Sequence, residues 1–395
     1  MGTSRFLEVR THWLRTLRAL CFVLATSSAH GLPASGEKEP AARPTPEERG
    51  SSKVERTRPP SFPHRIVAAC DFEGQTPDYG WFGAVEKTDL PVYPGNANAL
   101  RGEPAKDVFA HLAGVNPVPG PRLGKQNGLY FRYKLDGTQT AQVQHFNLTK
   151  EDNHHVVVSG LAEGKWSELA LDFTARSRRN DGSPGAMEEG DRMDDFKVLL
   201  GKTNDGKRYG LLIDDFVLFA NDPALPPDSE PFPNRVIFLA AFDTGEKEKY
   251  WPGDFEIVEK EAPPGAFWRV ARAVDRKEGG GKWIRLGVEP PRPVGARSRL
   301  RFRYHSSGAK SLTVQVFNAT VQDNHHVRLT DLEQGAWRSA RVDLTKDSKR
   351  NDGSSVPLAA GDRVDDIFFF VEPLGGGPTS FFVDEVVLYD GRDST

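Results

Sequence analysis

The chain is dominated by short stretches in which apolar and polar residues alternate. In residues 129–133, Leu129, Phe131 and Tyr133 occupy every second position, which is the period of a β-strand with one buried face. Residues 211–219 and 381–389 are dense in aliphatic and aromatic residues, which is typical of strands buried on both faces. No stretch shows the 3.6-residue apolar period of an amphipathic helix. The pattern therefore predicts an all-β protein.

The alternating pattern occurs twice. Residues 129–195 and 300–366 align at a spacing of 171, with roughly 30 identities over about 67 positions. Each copy is long enough to form a hydrophobic core of its own, so we predict two tandem β-sandwich domains. A position kept in both copies is held by packing or by function, and this comparison selects the candidate residues below.

Composition predicts the segments around the two copies. Residues 1–29 combine several arginines, a short apolar run and small residues ending at Ala29, as in a cleaved signal peptide. The apolar run is too short to span a bilayer. Residues 30–61 are rich in Pro, Glu, Arg and Ser, which predicts a disordered linker. We therefore expect a secreted, periplasmic or cell-envelope protein; a disordered basic leader or a start codon assigned too early is the alternative.

The domain boundaries follow from the same pattern. We expect one β-sandwich over residues 62–222 and a second over 232–395, joined by the Pro-rich linker 223–231. A short, proline-stiffened linker predicts a restricted relative orientation. Because the core positions of each copy form a complete alternating set, we predict that each half folds alone when the chain is cut near residue 227.

Charge and cysteine content narrow the function classes. The net charge of −3 and the absence of a basic stripe disfavour nucleic acid as a partner. Cys21 would leave with the signal peptide, so Cys70 would be the only cysteine of the mature chain. An intrachain disulfide is therefore excluded in the mature protein.

The order of short motifs resembles a known family. Gly164-Lys165-Trp166 and Gly335-Ala336-Trp337 are each followed by an alternating strand, a loop, an Asp-Asp pair and a final acidic-hydrophobic strand. This order is similar to the galactose-binding-like jelly roll of many non-catalytic carbohydrate-binding modules, and the resemblance covers most of both copies. It implies two jelly-roll sandwiches more firmly than it implies a ligand, because the same sandwich also serves as a structural module in larger enzymes.

The resemblance also implies a structural calcium ion where the first and last strands of a sandwich meet. Ca²⁺ prefers several oxygen ligands, which two strand ends can supply together. The acids kept in both copies at these ends are Glu73 and Asp214 in the first copy, matched by Asp243 and Asp384 in the second. The alternative is that these acids form turns or bridge to arginine.

The element Asp-Asn-His-His is repeated without change. Neighbouring side chains on a strand point to opposite faces, so His154 and His325 should face the core, and His155 and His326 should face outward. Adjacent histidines therefore cannot bind one zinc ion from a regular strand. We predict that the inward pair is buried and hydrogen-bonded to a loop.

The alternation of side chains along each strand also predicts which residues face outward. Aromatic rings, amides and guanidinium groups are the mixture that a sugar site uses. Both copies repeat this mixture at Arg132, Gln144, Phe146, His155 and Trp166, and at Arg303, Gln315, Phe317, His326 and Trp337. The alternative is that the phenylalanines belong to the core and that the tryptophans lie under a loop.

No catalytic motif is present in the sequence, such as a nucleophile elbow or a His-Glu-x-x-His helix. We therefore expect an exported, non-catalytic glycan-binding protein whose two sites act together on a polysaccharide. One alternative is a polysaccharide-cleaving lyase or hydrolase, with His155 or His326 as base and Arg132 or Arg303 neutralising a uronate. Another is a structural protein with a cell-envelope partner.

Overall fold

Regular structure in the chain consists of β-strands. The computed structural model describes residues 58–392 except 75–78, 91–92, 106–107, 175, 278, 280 and 376. Within these residues no α-helix forms, and the all-β prediction is confirmed. No described segment is a helix long and apolar enough to cross a membrane. The predicted signal peptide and residues 30–57 of the predicted linker lie outside the described part of the chain.

The first copy contributes strands β1 to β13. They are β1 (Arg65–Cys70), β2 (Gly80–Phe82), β3 (Ala84–Lys87), β4 (Asn98–Arg101), β5 (Glu103–Pro104), β6 (His111–Asn116), β7 (Gln126–Asp136), β8 (Thr140–Asn147), β9 (Asp152–Ser159), β10 (Ser167–Asp172), β11 (Arg178–Arg179), β12 (Met193–Leu200) and β13 (Gly210–Asn221).

The second copy contributes strands β14 to β25. They are β14 (Arg235–Ala240), β15 (Glu256–Val258), β16 (Val270–Arg272), β17 (Val274–Asp275), β18 (Lys282–Pro293), β19 (Ser298–Ser307), β20 (Ala309–Asn318), β21 (Asp323–Thr330), β22 (Trp337–Asp343), β23 (Lys349–Arg350), β24 (Arg363–Pro373) and β25 (Ser380–Asp390).

Each copy is a sandwich of two antiparallel sheets. The sheet that we call the inner sheet has the order β10-β7-β13-β4-β3 in the first copy, with β1 beside β13, and β15-β16-β25-β19-β22 in the second, with β14 beside β25. The outer sheet has the order β11-β9-β8-β12-β6-β2, with β5 beside β6, and β17-β18-β24-β20-β21-β23. Among the described strands, no sheet combines the two copies. The β-sandwich fold implied by the family resemblance is confirmed.

Alternation along the strands builds a separate core between the two sheets of each copy. In the first copy Phe131 and Leu169 of the inner sheet are buried against Val156 of the outer sheet. The second copy repeats this arrangement with Phe302 on the inner sheet and Val314 on the outer sheet. The predicted inward direction of His154 and His325 is confirmed, because both side chains are buried. His154 Nδ1 lies 2.7 Å from the Gly185 carbonyl oxygen, the loop contact that the sequence predicted. The same prediction is wrong for His325, whose two ring nitrogens have no hydrogen-bond partner among the described residues.

A third apolar cluster joins the two copies through their inner sheets. Its members are Phe62, Ile66, Ala69, Tyr130, Ala170, Val217, Phe219, Phe232, Val236, Leu239, Val387 and Tyr389. Phe62 and Phe232 belong to the segments that precede β1 and β14, and the other members lie on the inner-sheet faces that point away from each sandwich's own core. The sequence pattern predicts that residues 211–219 and 381–389 are buried on both faces, which the burial of Val217, Phe219, Val387 and Tyr389 confirms, but it does not reveal that the other copy covers the second face. The expectation that each half folds alone overlooks this shared cluster, because a separated half would expose it to water.

Both predicted linkers pack against the sandwiches where they are described. Arg58, inside the predicted disordered linker, is buried between the copies. It donates hydrogen bonds to the Tyr130 hydroxyl at 2.5 Å and to the Pro233 carbonyl at 2.7 Å. In the second linker, Glu230 is buried and accepts a hydrogen bond from the Tyr389 hydroxyl at 2.7 Å. Ordered structure therefore begins before residue 62, and the connection between the copies is part of their interface.

Candidate functional site

The outer sheets carry the part of the predicted ligand set that lies on one surface. Gln144 and Phe146 of β8 lie beside β9, where Gln144 pairs in register with His155. In the second copy Gln315 of β20 pairs with His326 of β21 in the same register. All of these side chains are half-buried and face away from the core. The structure thus brings an amide, a phenylalanine and a histidine together in each copy, as predicted.

A hydrogen-bonded set of amides and histidine repeats at this surface. We call it the amide–histidine set, and its members are Gln144, Asn153, His155 and Asn180 in the first copy, and Gln315, Asn324, His326 and Asn351 in the second. Gln315 Nε2 donates to Asn324 Oδ1 at 2.9 Å, and the matching Gln144 contact is 3.2 Å. His326 Nδ1 lies 3.0 Å from Asn351 Oδ1, and the matching His155 contact is 3.3 Å.

The turn after a short strand positions the second asparagine of each amide–histidine set. Asn180 and Asn351 follow the short strands β11 and β23, which pair with β9 and β21. The turn after each short strand contains a glycine with positive φ, Gly182 at 82° and Gly353 at 86°, which favours glycine because other side chains are strained there. The repeated Arg-Asn-Asp-Gly motif therefore fixes an amide beside the histidine.

Three titratable groups of the outer sheets, His155, Asp194 and Asp365, have pKa values shifted toward their neutral forms, whereas the hydrogen bond from Arg350 lowers the pKa of Asp323. Partial burial lowers the pKa of His155, so this imidazole is neutral at physiological pH. Burial, together with the neighbouring Asp195 carboxylate, raises the pKa of Asp194 to about 6. Burial and the Asp366 carboxylate raise the pKa of the matching Asp365. The side-chain amides and the neutral imidazole suit uncharged hydroxyl ligands better than they suit ionic ones, while Asp194 is ionised above about pH 6.

We expect replacement of Asp194 by asparagine to change the pH dependence of stability. Because its folded pKa lies above the ordinary value of 3.8, the proton stabilises the folded state at low pH, and this contribution is lost as the pH rises through about 6. The melting temperature of Asp194→Asn relative to wild type should therefore increase between pH 5 and pH 7.5. Thermal melts at both pH values measure this, and an identical difference at both would refute the assignment.

The second copy adds a row of aromatic rings that the sequence analysis did not select. Trp283 of β18 lies against Phe368 and Phe370 of β24, with ring centroids 6.0–6.1 Å apart and planes within 17° of parallel. Phe368 and Phe370 are 5.6 Å apart and within 9° of parallel. All three rings are half-buried on the outer sheet. In the matching strand pair of the first copy, Leu112 stands in place of Trp283, Lys197 in place of Phe368 and Leu199 in place of Phe370.

The sequence contained a signal for this row. In Ile367-Phe368-Phe369-Phe370, aromatic residues occupy both faces of one strand, and the parity of the buried Phe369 directs Phe368 and Phe370 outward. Comparison of the two copies selects only positions that are kept in both, so it passes over a feature that the second copy alone has.

The remaining predicted ligand residues lie elsewhere, which corrects the single surface assembled from parity. Arg132 of β7 belongs to the inner sheet and is buried, with Nε 3.2 Å from Asp215 Oδ2. Arg303 also lies on an inner sheet, and its guanidinium carbon is 4.0 Å from the Phe267 ring centroid. Parity distinguishes inside from outside within one sandwich, but it does not specify which of the two sheets carries an outward residue.

The two tryptophans of the Gly-x-Trp motifs are also on the inner-sheet side. Trp337 packs with Val258 and Phe382, and its Nε1 donates to the Pro263 carbonyl at 3.3 Å. Trp166 is half-buried and donates to Asp89 Oδ1 at 2.7 Å. Trp337 therefore follows the alternative of an indole under a loop. A glycan-binding role for either tryptophan stays a prediction without support from this placement.

The geometry separates the residues of the cleaving alternative. His155 lies on the outer sheet and Arg132 on the inner sheet of the same sandwich, on opposite sides of its core. His326 and Arg303 are separated in the same way in the second copy. A base and a uronate-neutralising arginine must reach one substrate together, and these pairs do not meet.

The acids predicted to bind calcium are engaged by nitrogen donors. Glu73 accepts from the Asn98 side chain at 3.0 Å, and Asp214 accepts from Asn96 at 2.9 Å. Asp243 lies 3.0 Å from Arg65 Nη2. Burial, reinforced by the adjacent Glu385 carboxylate, raises the pKa of Asp384 well above its usual value. Among the described residues, no group of three or more His, Cys, Asp or Glu side chains is arranged to hold a metal ion. Calcium stays a prediction.

Comparison with known proteins gives remote structural likenesses. No protein-family model and no curated protein matches the sequence. Similar solved structures include the CBM22-1–CBM22-2 tandem of Paenibacillus barcinonensis Xyn10C, with 13% identity, 84% of this chain and 99% of that chain covered, and a TM-score of 0.29. TmCBM61 in complex with β-1,4-galactotriose is 16% identical, with 38% of this chain and 94% of that chain covered and a TM-score of 0.26. A Paenibacillus xanthan lyase is 14% identical, with 84% of this chain and 27% of that chain covered and a TM-score of 0.23.

This chain resembles β-sandwich carbohydrate-binding modules. At these identities and TM-scores the likenesses carry no argument, and the fold and the ligand must be argued from the strands and side chains of this chain.

Proposed function

We propose that the protein binds neutral polysaccharide through the outer sheets of its two copies. The observation that carries this proposal is the amide–histidine set, which recurs with the same partners on the same strands in both copies. Packing alone does not require a hydrogen-bonded polar group on the exposed face of a sheet. Sugar hydroxyls both donate and accept hydrogen bonds, and amide side chains can satisfy both roles at once.

A ring beside the amides supports the same ligand class. Phe146 pairs in register with Asn153, and Phe317 pairs with Asn324. An aromatic face offers apolar contact to the C–H face of a sugar ring, while neighbouring amides bind its hydroxyls. The Trp283 row extends the apolar part of this surface in the second copy, so we expect the second copy to bind more tightly than the first.

The predicted signal peptide supports a secreted or cell-envelope location for this binding, because extracellular polysaccharide is accessible there. A cell-envelope polysaccharide is one ligand of the proposed class. Catalysis forms no part of the proposal, since the residues of the cleaving alternative face different sides of each sandwich.

A glycan array probed with the whole chain tests the proposal. We expect retention on neutral polysaccharides, and a variant that combines Gln144→Ala, Phe146→Ala, Gln315→Ala and Phe317→Ala should lose it. The matched control replaces Val85 of β3 and Gln126 of β7, both on the inner sheet of the first copy, by alanine. Retention that survives in the four-residue variant, or binding confined to anionic glycans, would refute the proposal.

The aromatic row gives a separate prediction. Trp283→Ala removes a large stacking surface from the second copy, so affinity for a neutral oligosaccharide should fall about 10-fold there, equivalent to about 1.4 kcal/mol. Leu112→Ala at the matching position of the first copy should leave affinity nearly unchanged. Titration of the two variants measures the difference, and equal losses would show that the row has no special role.

A further inference from the structure

The arginine that opens the first strand of each copy crosses to the other copy. Arg65 begins β1, and its guanidinium contacts the second copy, with Nη2 3.0 Å from Asp243 Oδ2 and Nε 2.9 Å from Glu385 Oε1. Arg235 begins β14 and donates to the Pro94 carbonyl of the first copy at 3.0 Å, while its salt bridge is with Asp390 of its own copy, with Nη2 3.1 Å from Oδ2. Both arginine side chains are buried.

Further contacts make this exchange reciprocal. The guanidinium carbon of Arg235 lies 4.3 Å from the ring centroid of Tyr93, whose hydroxyl donates to Asp215. Arg292 of the second copy forms a salt bridge with Asp71 of the first copy, and both side chains are buried. The first copy therefore places Arg65 among the acids of the second copy, and the second copy places Arg292 against Asp71 of the first.

These acids occupy the position where the family resemblance implies calcium. In the second copy Asp243 and Asp384 are the predicted ligands, and Glu385 follows Asp384 directly. A calcium ion would need their oxygens at about 2.3–2.6 Å. The guanidinium of Arg65 already lies at hydrogen-bonding distance from Asp243 and Glu385, and two cations cannot share that space. The residues present do not fit calcium here.

In the first copy other groups contact the acids at the predicted calcium position. Asp71 is paired with Arg292, and Asp215 lies 3.2 Å from Arg132 Nε. Both oxygens of Asp214 accept hydrogen bonds, Oδ2 from Asn96 and Oδ1 from the Asp215 backbone amide at 2.8 Å. In the first copy arginines thus pair with Asp71 and Asp215, and uncharged N–H donors already occupy both oxygens of the predicted ligand Asp214.

We propose that arginines exchanged between the copies take the place of calcium at these strand ends and lock the two sandwiches together. A buried carboxylate that loses its cation is strongly destabilising, because neither water nor a partner then compensates its charge. The exchange therefore makes the folding of each copy depend on the presence of the other.

Metal analysis and thermal melts of the whole chain test this proposal. After dialysis, wild type should contain no stoichiometric calcium, and neither chelator nor millimolar calcium should shift its melting temperature. Arg65→Ala should melt roughly 5–10 °C lower, and calcium should restore part of that loss because Asp243, Asp384 and Glu385 would then be free to bind it. The control Arg101→Ala removes an exposed pair with Glu86 and should change the melting temperature little.

Stoichiometric calcium in wild type whose removal lowers the melting temperature would overturn the proposal, as would an Arg65→Ala variant as stable as wild type. Should Arg65→Ala fail to fold, Arg65→Lys decides the question. Lysine keeps one cation but cannot reach both acids in the guanidinium geometry, so a melting temperature equal to that of wild type would count against the exchange.

Discussion

Replacing Phe232 by alanine should destabilise both copies together by about 3–5 kcal/mol, the usual cost of removing a fully buried phenylalanine. Phe232 belongs to the segment that opens the second copy, yet its ring packs on Tyr130 at 5.0 Å and on Phe219 at 5.6 Å, both in the first copy. Since the shared cluster belongs to both sandwiches, calorimetry should show one cooperative transition shifted to lower temperature.

Leu225→Ala is the matched control, because Leu225 lies in the linker between the copies and is exposed. Its replacement should change stability by less than about 0.5 kcal/mol. Two separate transitions in the Phe232→Ala variant, with the first-copy transition unshifted, would show that the copies fold independently and that the shared cluster contributes little.

Wild-type protein should bridge polysaccharide chains into large complexes. Each outer sheet is separated from the other copy by its own inner sheet, and the inner sheets meet in the shared cluster. The two proposed binding surfaces therefore lie on opposite sides of the molecule. A bivalent molecule gains avidity on one chain only where the geometry allows both sites to engage it. This arrangement favours binding to two different polysaccharide chains. The short linker between the copies had predicted that both sites bind one polysaccharide chain together.

Light scattering of mixtures with a soluble neutral polysaccharide measures bridging. Complex size should rise to a maximum at intermediate protein concentration and fall when excess protein saturates every chain singly. A variant with Gln144→Ala and Phe146→Ala keeps one intact surface, so it should bind without bridging. Bridging by that variant at wild-type level would place the second contact outside the outer sheet of the first copy.

The sequence predicted the strands and their buried faces well because alternation is a local property. The inward direction of His154 and the outward direction of His155 follow from one step along a strand. Assignment to a sheet depends on strand order, which is not local. For this reason Arg132 and Gln144 appeared to belong to one surface, although they lie on different sheets of the sandwich.

The contacts between the copies could not be predicted for a related reason. The segments Phe62-Pro63-His64-Arg65 and Phe232-Pro233-Asn234-Arg235 open the two copies, and their repetition is visible in the sequence. The acids that Arg65 meets are Asp243 and Glu385, far along the chain. Only the packing of one inner sheet on the other brings these groups together, and periodicity within one copy carries no information about that packing.

The number of sites on the whole chain tests the central claim most directly. Isothermal titration calorimetry with a neutral oligosaccharide selected on the array should find two sites in wild type. One site should remain after Gln144→Ala with Phe146→Ala, one after Gln315→Ala with Phe317→Ala, and none in the variant that combines all four, while its melting temperature stays near that of wild type. Two sites persisting in that folded variant would contradict glycan binding by the outer sheets.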